Sequence, residues 1–232
     1  ASNKQVSSKQ EYSRNSAKSS SLPDLRKYPS GTPRKKAFLR TVMPYITSQN
    51  AAITAERNWL ISKQYQGQWS PAERARLKDI AKRYKVKWSG NTRKIPWNTL
   101  LERVDIIPTS MVATMAAAES GWGTSKLARN NNNLFGMKCM KGRCTNAPGK
   151  VKGYSQFSSV KESVSAYVTN LNTHPAYSSF RKSRAQLRKA DQEVTATAMI
   201  HKLKGYSTKG KSYNNYLFAM YQDNQRLIAA HM

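Results

Sequence analysis

Glu119 is the residue whose type and position favour catalysis most strongly. It follows Met111 and Met115 at a spacing of four in MVATMAAAESGWG, so the helical pattern predicts a carboxyl on an apolar helix face. Gly121 and Gly123 predict that the helix ends about two residues later, where the helix dipole disfavours a further negative charge. Both surroundings favour the protonated carboxyl that a general acid requires. The alternative is a solvated surface glutamate.

Aromatic and amide side chains follow Glu119 closely in the sequence. Trp122 offers an aromatic face of the kind on which sugars stack, and Asn130 to Asn133 offer amides for sugar hydroxyls. The next residues, Leu134 to Gly136, are typical of a chain that re-enters the core. Glu119 therefore stands beside residue types that suit carbohydrate binding.

The string AAAESGWGTSKLARNNNNLFGMK closely resembles the signature of glycoside hydrolase family 73, the N-acetylglucosaminidases that cut peptidoglycan. The region from about Pro108 to the C terminus is most similar to the Bax-type proteins of that family, with the flagellar FlgJ enzymes more distant. The resemblance implies a lysozyme-like fold with Glu119 as the catalytic acid. It also implies an exported protein that acts in the periplasm or outside the cell, at the cell wall.

The hydrophobic pattern predicts a helical domain preceded by a tail. Residues 1–32 are rich in Ser and Lys without apolar periodicity, which is typical of a flexible basic tail or linker. Residues 33–232 are predicted to form the lysozyme-like domain, with residues 33–105 as a helical N-terminal extension. Two Ser-x-x-Glu capping boxes, which begin at Ser70 and Ser159, predict helix starts.

Residues 137–157 break the helical pattern. They contain Gly142, Gly149 and Gly153, and they alternate weakly between polar and apolar side chains in VKGYSQF. This pattern predicts a small β-hairpin lobe that forms one wall of the active-site cleft. The predicted fold class is therefore α+β, mostly α.

Glycoside hydrolysis usually employs two carboxyls, and the second is missing from its usual place in this sequence. Many family 73 members carry it in the β-lobe, whereas residues 136–158 contain no Asp or Glu. Glu162 is the nearest candidate, but its place in a capping box predicts a structural role. The resemblance also implies a role for Tyr206 in the GYSTKGKSY loop, where its hydroxyl would orient a water or the substrate's acetamido group. A hydroxyl bonded to the backbone is the alternative.

We therefore predict an endo-β-N-acetylglucosaminidase that cuts the β-1,4 bond after N-acetylglucosamine in peptidoglycan. Glu119 donates the proton to the leaving oxygen, and the predicted cleft wall consists of Trp122, Asn133, Phe135 and Tyr154. A lytic transglycosylase that works with Glu119 alone is the enzymatic alternative. A cationic protein that binds cell wall or nucleic acid without catalysis is the alternative from another class.

The 232 residues include 40 basic and 12 acidic side chains, which give a formal net charge of +28. Such a charge attracts an anionic polymer, an anionic lipid or nucleic acid, and composition alone does not choose among them. With the resemblance, peptidoglycan strands are the expected partner, nucleic acid is not expected, and the protein is expected to be a monomer. No run of eighteen apolar residues occurs, so no transmembrane helix is predicted.

The two cysteines, Cys139 and Cys144, lie five residues apart around Gly142. In the oxidising compartment that the resemblance implies, they are predicted to form a disulfide, and free thiols in a reducing cytosol are the alternative. Two cysteines and three scattered histidines do not make a zinc site, so neither a metal nor a cofactor is predicted.

Overall fold

Helices make up most of the described chain. A computed structural model describes residues 22–140, 142, 144, 146–203 and 210–232. The α-helices in these residues, numbered in chain order, are α1 (Thr32–Lys63), α2 (Pro71–Arg83), α3 (Trp97–Arg103), α4 (Thr109–Ser120), α5 (Lys126–Asn131), α6 (Val160–Thr173), α7 (Ser178–Lys189), α8 (Ala196–Met199) and α9 (Lys211–Ala229). The mostly helical class is thus confirmed. Across the residues that the structure describes, no helix is long and apolar enough to cross a membrane.

The predicted β-hairpin is not present as a pair of strands in the described residues. It is reduced to one isolated antiparallel bridge between Lys138 and Tyr154. The Ser155 hydroxyl accepts a hydrogen bond from the Met140 amide at 3.0 Å and donates one to the Lys138 carbonyl at 2.9 Å. A side chain therefore satisfies backbone groups that a longer ladder would have paired, so weak alternation in a glycine-rich segment did not produce strands.

The capping box at Ser70 explains where α2 begins. The Ser70 hydroxyl accepts from the Glu73 amide at 3.1 Å, and the Glu73 carboxylate accepts from the Ser70 amide at 3.0 Å. Pro71 occupies the first helical position, where its missing N–H costs nothing. This helix start is confirmed as the sequence predicted it.

The chain divides into two compact units, each with its own core. The first unit takes its described residues from Ala1–Tyr45 and Met115–Ala166, with His231. The second unit comprises Ile46–Thr114 and Tyr167–Ala230, with Met232. Glu119 and most of the residues predicted around it lie in the first unit.

The core of the first unit includes a residue from the stretch that the sequence predicts to be a tail. Leu25 belongs to a short 3-10 helix, Leu25–Lys27, and its side chain is 0% exposed. Arg34 holds this segment by donating to the Leu25 carbonyl at 3.1 Å and the Tyr28 carbonyl at 3.0 Å. The other large apolar side chains buried in the described part of this unit are Phe38, Leu39, Val42, Met43, Met115, Leu134, Phe135, Met137, Phe157, Val160 and Val164.

A buried carboxylate with several arginines lies in the second unit. Asp105 is 1% exposed, and Arg188 donates to its two oxygens at 2.7 and 2.9 Å. Arg57 and Arg184 place guanidinium nitrogens 3.5 and 3.9 Å from the same carboxylate. A buried charge needs such partners, because removal from water is costly unless opposite charges and hydrogen bonds replace the lost hydration.

Burial raises the pKa of Asp105, but the hydrogen bonds from Arg188 and the charges of Arg184 and Arg57 lower it more strongly, so the net pKa lies below its ordinary value. Burial lowers the pKa of Arg184 to about 10, against the opposing effect of the Asp105 charge. Asp105 is thus held in the ionised form as a structural charge.

Candidate active site

The residues after Glu119 end α4 through a left-handed backbone turn. The helix stops at Ser120, and Gly121, Trp122 and Gly123 then have φ values of 56°, 54° and 79°. The Ser120 hydroxyl accepts a hydrogen bond from the Gly123 amide at 2.9 Å, which fixes the turn from within. The helix therefore ends as the two glycines predicted, and Glu119 lies in its last turn.

The Glu119 carboxyl lies against the backbone of Gly136. Glu119 is partly exposed, while Met115, one turn earlier on the same helix face, is fully buried. A β-carbon placed on Gly136 would lie 3.1 Å from the carboxyl oxygen Oε2 of Glu119, and Gly136 has a φ of 66°. The chain thus passes close to the carboxyl at a residue that has no side chain.

Asn133, predicted to line the cleft, is instead part of the interior. Its side chain is 1% exposed, and its amide nitrogen donates to the Met137 and Ser155 carbonyls at 2.8 and 3.0 Å. Its amide oxygen accepts from the Met137 amide at 3.0 Å. Because these bonds use the whole amide on the backbone, we remove Asn133 from the proposed substrate contacts.

Asn131 has the same structural role as Asn133. Its amide oxygen accepts from the Val151 amide at 2.8 Å, and its amide nitrogen donates to the Val151 carbonyl at 3.1 Å. The two asparagines therefore fasten residues 137–157 to the last residue of α5 and to the chain just after it. They leave little of the asparagine run available for sugar hydroxyls.

Phe135 was also predicted to line the cleft, and the structure corrects this. Its side chain is 2% exposed and belongs to the core of the first unit. The neighbouring Leu134 amide donates to the Ser163 hydroxyl at 3.2 Å, which anchors this part of the chain to α6. The segment re-enters the core, as its apolar pattern predicted, and this removes Phe135 from solvent.

Trp122 and Tyr154, the other two predicted wall residues, remain partly exposed. The Phe38 and Trp122 rings form a T-shaped contact, with 5.6 Å between ring centroids and 82° between planes. The ammonium of Lys35 lies 5.0 Å from the Trp122 ring centroid, within the range of a cation–π contact. Both predicted wall residues thus keep part of their surface accessible.

Glu162 caps α6, in a variant of the predicted arrangement. The Ser159 hydroxyl accepts from the Glu162 amide at 3.1 Å, which is the predicted first half of the box. The Glu162 carboxylate, however, accepts from the amide of Ser158 at 2.9 Å and from the Ser158 hydroxyl. The reciprocal contact is therefore shifted by one residue, and it still satisfies a backbone donor at the helix start.

The cysteine pair and Tyr206 complete the predicted residues. Cys139 and Cys144 form a disulfide, with 5.2 Å between their Cα atoms. Tyr206 falls outside the described residues, so its role stays a prediction. In the part of the chain that the structure describes, no group of three or more His, Cys, Asp or Glu residues is arranged to hold a metal ion.

A cavity in the second unit does not involve the predicted site residues. It has a volume of about 310 Å³ and lies between α7 and α8, where Leu187, Met199 and Lys202 contribute to its lining. Neither Glu119 nor any residue predicted for the cleft wall is among its lining residues. The cavity therefore gives no reason to move the candidate site away from Glu119.

Comparison with known families decides the class of this site. A family model named Glucosaminidase, described as mannosyl-glycoprotein endo-beta-N-acetylglucosaminidase, matches residues 96–226, more than half of the chain. The chain belongs to this glucosaminidase family. The glucosaminidase is a glycoside hydrolase with endo-β-N-acetylglucosaminidase activity, and the resemblance to family 73 is confirmed. The match includes Glu119 and begins after α1 and α2. No solved structure matches the chain.

Two neighbours of the candidate site were not identified from the sequence. The sequence indicates Gly136 only as part of a segment that re-enters the core, and it places Phe38 only within the predicted helical extension, residues 33–105. A glycine inside the apolar run LFGM was the available signal, because a missing side chain there indicates a close approach of another group. No comparable signal linked Phe38 to Trp122, since 84 positions separate them in the sequence.

Proposed function

We propose that the glucosaminidase cleaves the β-1,4 bond after N-acetylglucosamine in peptidoglycan, with Glu119 as the general acid. The observation that supports this most directly is the place of Glu119 inside the family match. Its carboxyl is at the end of a buried helix, partly exposed, and adjacent to the backbone of Gly136, which carries no side chain. A proton donor must reach the leaving oxygen, so partial exposure at a fixed position suits the role.

Trp122 and Tyr154 are the proposed substrate contacts. Both are aromatic and partly exposed in the first unit, and aromatic rings offer a flat apolar face for sugar rings. The net charge of +28 supports an anionic polymer as the partner, because peptidoglycan carries carboxylates on its peptides. A lysozyme-like arrangement, a monomeric state and action in the periplasm or outside the cell belong to the same proposal.

The second catalytic group is proposed not to be a carboxylate. In the described part of the first unit, Glu162 is the one other acidic residue after Glu119, and its carboxylate caps α6 through Ser158. A neutral group that holds the water, or the substrate's own N-acetyl group as the nucleophile, then takes the place of the usual second carboxyl. Tyr206 is the proposed residue for orienting either group.

The role of Glu162 as a helix cap also supports a second candidate reaction, which needs no second carboxyl. A lytic transglycosylase works with a single glutamate and forms an anhydro sugar in place of adding water to the bond. The two reactions differ in product mass by one water molecule. Mass spectrometry of the released fragments therefore separates them, and a hydrated reducing end on every fragment would exclude the lytic reaction.

Replacement of Glu119 by glutamine, which cannot donate the proton, tests the proposal. We expect Glu119→Gln to lower the rate of peptidoglycan digestion by at least about a hundredfold, because the amide keeps the shape of the side chain and cannot act as the acid. Glu193→Gln is the matched control, since Glu193 is exposed and distant in sequence from the turn. Near-normal digestion by folded Glu119→Gln would end the assignment of Glu119.

A further inference from the structure

We propose that three residues near the N terminus position the turn that carries Glu119. These residues are Leu25, Lys35 and Phe38, called here the N-terminal brace. They precede the family match, which begins at residue 96, so they add to the glucosaminidase a support that the matched region does not contain. The inference rests on the proposed function, because it concerns the geometry of the proposed acid.

The brace contacts the turn first at Gly123. A β-carbon on Gly123 would lie 2.4 Å from Cδ1 of Leu25 and 3.2 Å from Cδ2 of Phe38. Both side chains are fully buried, so neither moves aside into solvent. They therefore occupy the space directly beside the Gly123 backbone, and they prevent that backbone from moving toward them.

The brace contacts the turn a second time at Trp122. This residue has a φ of 54°, which a bulky side chain rarely adopts and which must be maintained by its surroundings. The Phe38 and Trp122 rings pack in a T-shaped arrangement, and the ammonium of Lys35 lies over the Trp122 ring at 5.0 Å from the centroid. Packing against Trp122 and exclusion at Gly123 thus hold two consecutive residues of the left-handed turn.

The segment that carries Leu25 is itself held in place. Asp24 accepts a hydrogen bond from the Arg26 amide at 3.2 Å, which caps the short 3-10 helix. Arg34, in the first turn of α1, donates to the carbonyls of Leu25 and Tyr28. Leu25 is therefore presented to the turn by a fixed backbone, as a positioning element requires.

The position of the turn matters because Glu119 precedes Gly121 by two residues. A displacement of about 1 Å in a reacting group costs up to roughly a hundredfold in rate, so loosening of the turn affects catalysis before it affects folding. The brace residues act through the turn and are positioning residues. Their loss is expected to change kcat more than KM.

The first test compares Leu25→Ala with Leu77→Ala in the full chain. Leu77 is also fully buried, in α2 of the second unit, so its truncation controls for a general loss of stability. At a temperature where both variants are folded, we expect Leu25→Ala to lower kcat on peptidoglycan roughly tenfold with KM within about twofold. Equal kcat values for the two variants would overturn the inference.

The second test does not depend on activity. Gly123→Ala is expected to lower the melting temperature by clashing with Leu25, and Leu25→Ala should relieve part of that clash, so the two losses combine to less than their sum. Gly149→Ala is the matched control, because Gly149 has a φ of 82° and open space beside it. Its loss should add fully to that of Leu25→Ala. Additive losses in both pairs would overturn the brace, whereas full activity of Glu119→Gln would overturn the proposed function.

Discussion

Asp105 and Glu119 are carboxyl groups that the chain places at or just beyond the end of a helix, and their surroundings differ. Asp105 follows α3 by two residues, is almost completely buried, and has guanidinium groups from Arg57, Arg184 and Arg188 around it. Glu119 keeps part of its surface in solvent and lies against a glycine backbone. Cations from two helices, α1 and α7, thus fix Asp105 as part of the structure, whereas Glu119 stays partly exposed beside a backbone that carries no side chain.

The largest effect on stability is expected from substitution of Asp105. We expect Asp105→Asn to lower the free energy of unfolding by about 3–5 kcal/mol, because the buried arginines lose their counter-charge. The rate constant of the molecules that remain folded should not change. Denaturant unfolding and kcat on the same preparation measure both effects.

Asp223→Asn is the matched control, since Asp223 is exposed on α9 and should cost little stability. Glu119→Gln is expected to show the opposite pattern, with a lost rate and a preserved fold. If Asp105→Asn instead abolished the rate of a fully stable protein, the division of roles between the two carboxyls would be wrong.

Low pH is expected to reduce stability through the same carboxylate, Asp105. Because the net pKa of Asp105 in the folded protein is depressed, its contribution to stability is complete above the pKa of an unfolded aspartate, about 3.9, and is lost as the pH falls through the lower folded value. We expect the unfolding free energy to decline below about pH 4, and to decline less steeply in Asp105→Asn. Urea titrations of both proteins across this range measure the difference. Parallel curves would show that Asp105 does not contribute to the acid sensitivity.

The close approach of Gly136 to Glu119 is tested by adding one methyl group at Gly136. Gly136→Ala and Gly149→Ala both place a side chain on a left-handed backbone, so each should cost about 1 kcal/mol of stability. Only Gly136→Ala also places its β-carbon near Glu119, and we expect its kcat to fall roughly tenfold while that of Gly149→Ala stays normal. Steady-state kinetics on solubilised peptidoglycan distinguish the two. Equal rates would mean that the close approach of Gly136 has no part in catalysis.

The smallest effect is expected at Glu162. Glu162→Gln still accepts hydrogen bonds from Ser158 through its amide oxygen, so activity should stay within about twofold of normal. The digestion assay used for Glu119→Gln measures this directly. Loss of activity in a folded Glu162→Gln protein would instead identify Glu162 as the second carboxyl, and the ordinary two-carboxyl mechanism would apply.

Local signals in the sequence predicted the helix end at Glu119 and the cap at Ser70 because all the residues involved lie within a few positions of one another. The roles of Asn133 and Phe135 could not be predicted in the same way. The hydrogen bond from Asn133 to Ser155 spans 22 residues, and the sequence shows the amide without its partner. An amide therefore looked available for sugar although the backbone had already engaged it.

The burial of Leu25 was missed for a related reason. Two leucines, Leu22 and Leu25, in a Ser- and Lys-rich stretch make too short a pattern to indicate a partner, and the contact of Leu25 at Gly123 lies 98 positions away. In the described residues the predicted hairpin is reduced to one antiparallel bridge, because alternation alone does not count the backbone groups that Ser155 satisfies. Patterns within a segment thus predicted local structure, whereas contacts between distant segments left no pattern in the sequence.

The fastening of residues 137–157 by Asn131 and Asn133 has a consequence for how this part of the enzyme can change. Its register is fixed by separate bonds at Met137, Val151 and Ser155, and does not depend on a continuous strand ladder. The residues between Cys144, which is tied to Cys139 by the disulfide, and Val151 can therefore be lengthened, shortened or exchanged with little effect on the anchors. The segment is a natural site for loop grafting, in which a new loop would be held by unchanged anchors at Met137, Val151 and Ser155.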